Sequence, residues 1–173
     1  MEYQKLNVVE FKIKENQISV WWDDNKGDIK SVSSMDLPHD EFKEAIGKLV
    51  QPLAYHLDFP AERIGIRGVK SSVKDDGRVF YTISGYIYSR PSGIDNNINC
   101  TLEYDTKVTD DNPRFWNNDD AEKIGNALLW AGYYAQGCRK SEEPELFDEA
   151  EYEECDDGAS GIIGEDFPYE EPF

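Results

Sequence analysis

The 173-residue chain has little with which to do covalent chemistry. Its only histidines are His39 and His56, and its only cysteines are Cys100, Cys138 and Cys155. An odd number of widely spaced cysteines with no CxxC pair argues against a disulfide framework and against a zinc site, and it suits a reducing cytoplasm. No Walker loop, GxGxxG, GxSxG or HExxH occurs. Carboxylates are so numerous that choosing two as an acid–base pair would be arbitrary. The expectation is a protein that is not an enzyme and needs no cofactor or metal. "DDNKG" at Asp23–Gly27 resembles the opening of a calcium loop, but Gly comes one position early and no Glu closes the loop. A hairpin turn is the simpler reading. No run of about 18 apolar residues is present, so no membrane span is expected. The opening "MEYQKLNVVEF" lacks the basic-then-apolar order of a secretion signal.

Positive charge is missing from one whole region. Between Ser141 and Phe173 there are 14 Asp or Glu and no Lys or Arg, whereas residues 1–140 hold 22 acids and 18 bases. The net charge of −18 therefore divides into −14 on the last segment and −4 on the rest. Like charge without strand or helix pattern predicts a disordered acidic tail over 141–173 and a folded domain over 1–140.

Apolar periodicity then organises that domain. "VVEFKIK" alternates Val9, Phe11 and Ile13 against charged residues, and "ISVWW" alternates Ile18, Val20 and Trp22. A third, weaker strand follows near Asp28–Ser34. Phe42, Ala45, Ile46, Leu49, Val50, Leu53, Ala54 and Leu57 then share one helical face. Pro38 suits the first turn of that helix, and Pro52 should kink or split it. "ERIGIRGVKSSV" and "RVFYTISGYIYS" read as strands joined by the turn "KDDG". "NINCTLEYD" turns Ile98, Cys100, Leu102 and Tyr104 inward. A last helix spans about Asp119 to Cys138, with Ile124, Ala127, Leu128, Ala131 and Ala135 on one face. The prediction is an α+β fold in βββα-βββα order: an antiparallel sheet with two helices packed on one face, plus the tail.

The uncovered sheet face is the candidate site. If Val73 pairs with Val79, then Val69, Val73, Val79, Tyr81 and Ile83 share the core face. Lys70, Phe80, Thr82, Tyr86, Tyr88 and Arg90 fall opposite, joined by Lys12, Lys14 and Trp21 from the first strands. Rings interleaved with cations can stack single-stranded bases and follow their phosphates, each stacked base contributing about 1–3 kcal/mol. The competing reading is plain strand preference for aromatics, with some rings under the second helix or at a homodimer interface. Arg114–Trp116 and the pair Tyr133–Tyr134 suit either an interface or the core.

The tail has an unusual final stretch, "GEDFPYEEPF", which sets Phe167, Tyr169, Pro172 and Phe173 in an otherwise polar string. Exposed rings on a flexible segment suit a partner's pocket, and an Arg or Lys on the partner suits the terminal carboxylate. Glu170, Glu171, Pro172 and Phe173 resemble the tail tip of bacterial and phage single-stranded-DNA-binding proteins. That resemblance implies single-stranded DNA as ligand. It also implies a tip that docks helicase, polymerase, primase or recombinase, and a tail that competes with DNA for the body's face. The body departs from that family, because a long helix interrupts the expected oligonucleotide-binding barrel after its third strand. "MDLPHDEFKEAI" (Met35–Ile46) and "IRGVKSSV" (Ile66–Val73) instead resemble segments of small uncharacterised phage proteins. This implies a phage or prophage origin and a host cytoplasm as location. The doubled strand–helix order is similar to the Whirly class of single-strand binders. Two further readings stand beside these. The first is an acidic inhibitor that mimics DNA against a host or defence factor. The second is an assembly protein with a solubilising tail.

Overall fold

The computed structural model describes residues 2–109 and 111–140. The chain divides into two units, Met1–Lys140 and Ser141–Phe173. The expected tail and its candidate partner-binding residues Phe167, Tyr169, Pro172 and Phe173 lie outside the described residues.

The first unit is α+β. Strands β1 (Asn7–Lys14), β2 (Gln17–Asp23) and β3 (Ile29–Ser34) lead to helices α1 (Asp40–Gly47) and α2 (Val50–Leu57). A short 3-10 turn (Ala61–Arg63) precedes β4 (Ile64–Val73), β5 (Val79–Ser89), β6 (Ile94–Tyr104) and helix α3 (Asn118–Ala135). The strands form one six-stranded antiparallel sheet in the order β3-β2-β1-β4-β5-β6. Each half is a meander. The halves meet along a seam of three residue pairs, Glu10–Lys70, Phe11–Val69 and Lys12–Gly68.

All three helices cover one face. Phe42, Leu49, Leu53, Ile124, Ala127 and Ala131 form a single core with Val8, Phe11, Val20, Val69 and Ile83 from the strands. The helices cross between halves: α3 lies over β1–β3 and against α1, whereas α2 lies over β4 and β6. Trp116, 2% exposed, donates its indole N–H to the Tyr81 carbonyl at 2.9 Å. Tyr134 is fully buried, with its hydroxyl 2.7 Å from the Asp36 carbonyl. Of the two stretches that suited either an interface or the core, Trp116 and Tyr134 are core, whereas Arg114 is exposed and Phe115 and Tyr133 are half-buried. His56 Nε2 lies 3.9 Å from Asp120 Oδ2, tying α2 to the first turn of α3. Burial lowers the imidazole pKa and raises the carboxyl pKa, each against the attraction of the other.

Several expectations shift in detail. The first helical stretch splits at Lys48–Leu49, because Pro52 has no N–H for the Lys48 carbonyl and its ring crowds that oxygen. Pro38 is not in the first turn. The cap is His39, whose Nδ1 accepts from the Glu41 N–H, and Pro38 bridges to Arg139. α3 ends at Ala135 rather than Cys138. Gly137 takes φ +99° there, and the Cys138 N–H returns to the Tyr133 carbonyl at 2.9 Å. In β1 a bulge between Val8 and Glu10 buries Val8 and leaves Val9 half-buried, although simple alternation places Val9 inward. Val73 pairs with Val79 as expected but is 67% exposed, at a hairpin end beyond the helices. Asp23–Gly27 is a turn between β2 and β3, where Asp24 Oδ1 accepts from the Lys26 N–H at 2.9 Å. Among the described residues, no helix is long and apolar enough to cross a membrane.

Candidate nucleic-acid interface

Sheet register fixes what the uncovered face presents. Reading across the strands, one row runs Trp21, Glu10, Lys70, Thr82, Thr101. The next runs Ser19, Lys12, Gly68, Ser84, Asn99. A third joins Gly65, Tyr86 and Asn97, and a fourth joins Ser72, Phe80 and Glu103. Lys12, Lys14, Trp21, Lys70, Phe80, Tyr86 and Tyr88 thus belong to one face. Arg90 does not extend it: β5 ends at Ser89, and Arg90 stands in the β5–β6 turn. There it lines a smaller hollow with Arg63, Tyr86 and Tyr88.

Two glycines in β4 permit close approaches. A Cβ on Gly65 would fall 2.2 Å from the Tyr86 ring, so the ring lies across this residue. A Cβ on Gly68 would fall 2.2 Å from the Phe11 carbonyl oxygen, so the seam closes only with hydrogen at this position. A depression of about 640 Å³ opens across β1, β4, β5 and β6, over the seam. Its cations are Lys12, Lys14, Arg67 and Lys70, against the two carboxylates of Glu10 and Asp95. Thr82, Ser84, Asn97 and Asn99 supply neutral hydrogen-bonding groups.

Three rings of this face, Trp21, Tyr86 and Phe80, keep a cation over them. Lys12 Nζ stands 5.5 Å from the centre of the Trp21 ring, and the Arg67 guanidinium carbon stands 4.6 Å from that of Tyr86. Lys74 and Arg78 both stand 5.6 Å from the centre of Phe80. Such contacts are worth about 0.5–1 kcal/mol at exposed sites, weak enough for a ligand phosphate to draw the cation away. The ion pairs are equally open: Lys12–Glu10 at 3.2 Å and Arg67–Asp95 at 3.3 Å are solvent-accessible and contribute little.

α1 and α3, behind the sheet, carry Asp40, Glu41, Glu44, Asp119, Asp120 and Glu122 together with Lys43 and Lys123. A net −4 over residues 1–140 coexists with a depression in front lined by four cations and two carboxylates. This surface can stack planar rings, neutralise a row of phosphates and hydrogen-bond polar edges.

Alternation from Lys70 places Arg67 on the core face and so misses it. The bulge between Ile66 and Gly68 changes the count. Asn97 and Asn99 were legible as the residues opposite Ile98 and Cys100. Cys100 faces the helices, and burial pushes its thiol pKa up. Among the described residues, no group of three or more His, Cys, Asp or Glu is placed to hold a metal. No family model, curated protein or solved structure matches the chain.

Proposed function

We propose that the open sheet face binds single-stranded DNA without sequence preference, in replication or recombination. The acidic segment would recruit partner enzymes through Phe167, Tyr169 and Phe173. The observation that supports this reading is the uncovered sheet face: the helices pack on the other side, and this one gathers Trp21, Phe80 and Tyr86 with Lys12, Lys14, Arg67 and Lys70. Trp21, Phe80 and Tyr86 stack bases. Lys12 and Arg67 leave their rings and carboxylates for phosphates as the strand enters, joined by Lys14 and Lys70. Every base has a π-face, so stacking of this kind is tolerant of sequence.

The test is fluorescence anisotropy with labelled oligothymidylate, comparing the full chain with one stopped at Lys140. Four phosphate contacts on a single strand give a log–log salt slope of about −3. Removing 14 carboxylates relieves long-range repulsion of the strand, so the shorter chain binds more tightly. If the shorter chain binds no oligonucleotide at low salt, the proposal fails. Capture of a basic protein by the acidic segment alone would then favour the inhibitor reading.

A further inference from the structure

The bank of the depression formed by β6 has a chemistry different from the bank formed by β1 and β4. On the open face β6 presents Asp95, Asn97, Asn99 and Thr101, paired with Tyr88, Tyr86, Ser84 and Thr82. Asp95 is occupied by Arg67 at 3.3 Å, and the Thr101 hydroxyl by that of Thr82 at 2.8 Å. The carboxamides of Asn97 and Asn99 make no hydrogen bond to any described residue. They line the depression opposite Lys12, Lys14 and Lys70.

Strand spacing sets the distance between the banks. β4 is two strands from β6, about 10 Å, and β1 three, about 14 Å; the first is comparable to one nucleotide from its phosphate to the far edge of its base, and the flexible four-carbon stems of Lys12 and Lys14 reach across the remainder. Asn97 and Asn99 are two residues apart on one strand, about 7 Å, so adjacent nucleotides of an extended strand can meet one each. A carboxamide carries one acceptor and a donor pair. Every base offers at least one donor and one acceptor on its Watson–Crick edge, and a half-turn of the amide exchanges the two roles.

Resting on the single-strand reading above, we infer that Asn97 and Asn99 take the Watson–Crick edges of unpaired bases while the β1–β4 lysines hold the phosphates. The row is indifferent to which base it meets but requires that base to be unpaired. It selects single strands over duplexes, which spend those edges on each other. Hydrogen bonding to such edges is how proteins generally read splayed, unpaired bases.

The experiment uses the full chain and three nine-nucleotide probes: oligothymidylate, the same oligomer methylated at thymine N3, and the matching duplex. Methylation blocks the Watson–Crick edge while keeping the ring and the phosphates. The wild-type chain is expected to bind the unmodified strand about tenfold more tightly than the methylated strand or the duplex. Asn97→Ala/Asn99→Ala is expected to bind the unmodified and methylated strands alike. Lys12→Gln/Lys70→Gln should weaken both by the same factor. Asn97→Val/Asn99→Val, which suits a strand, provides the same comparison if the alanine pair fails to fold. A wild-type ratio near one, or a ratio unchanged in the asparagine variants, overturns this inference and leaves single-strand binding standing. Absence of binding to every probe by every form overturns both.

Discussion

Gly65 shows how one residue without a side chain can decide the shape of a binding face. The Tyr86 ring rests across it, with the Arg67 guanidinium 4.6 Å from the ring centre. Gly65→Ala puts a methyl group into that ring, so the change should destabilise the protein by about 1–3 kcal/mol in urea titrations. In a Tyr86→Ala background the same substitution should cost far less, since the clash has gone; a double-mutant cycle reads the difference as coupling. Equal costs in both backgrounds would show that the ring does not depend on Gly65. The sequence alone places Tyr86 on the open face, because a period of two is all that assignment needs. It cannot reveal that Gly65 is the ring's seat, because that depends on the register of β4 against β5.

At the scale of elements, local chemistry was largely legible. Alternation finds the strands, the apolar stripes find the helices, and Pro52 announces the break between α1 and α2. Bulges are the exception. They arise when paired strands accommodate an extra residue, and neither "NVVEF" nor "GIRGV" marks where that residue sits. Both lie in β1 and β4, so the central strands are where simple alternation misassigns Val9 and Arg67. Helix ends also depend on side-chain geometry. Asn117 Oδ1 accepts from the Asp120 N–H at 2.7 Å and starts α3. Asn117→Ala should cost about 1 kcal/mol in thermal or urea unfolding, with Asn117→Ser restoring most of it. Because α3 covers β1–β3 rather than the half that precedes it, the loss should appear as one cooperative transition. A separate early transition in β4–β6 would contradict that arrangement.

For the molecule as a whole, composition alone misleads. A chain with 36 acids and 18 bases looks unsuited to a polyanion, but 14 of the acids follow Lys140, and on the open sheet face four cations gather around a depression against two carboxylates. Sequence arithmetic reveals the first; only the fold reveals the second. The seam beneath the depression carries this further. Two meanders of three strands are stitched to each other by three residue pairs, whereas β5 and β6 share eleven. The site therefore sits on a crease. A strand lying along it, holding Lys12 from one meander and Lys70 from the other, would act as a splint. In hydrogen–deuterium exchange, amides of β1 and β4 should slow on adding oligonucleotide more than those of β5 and β6; uniform slowing would mean the sheet was already stiff there. Ligand capture and the mechanical integrity of the fold would then depend on the same three pairs.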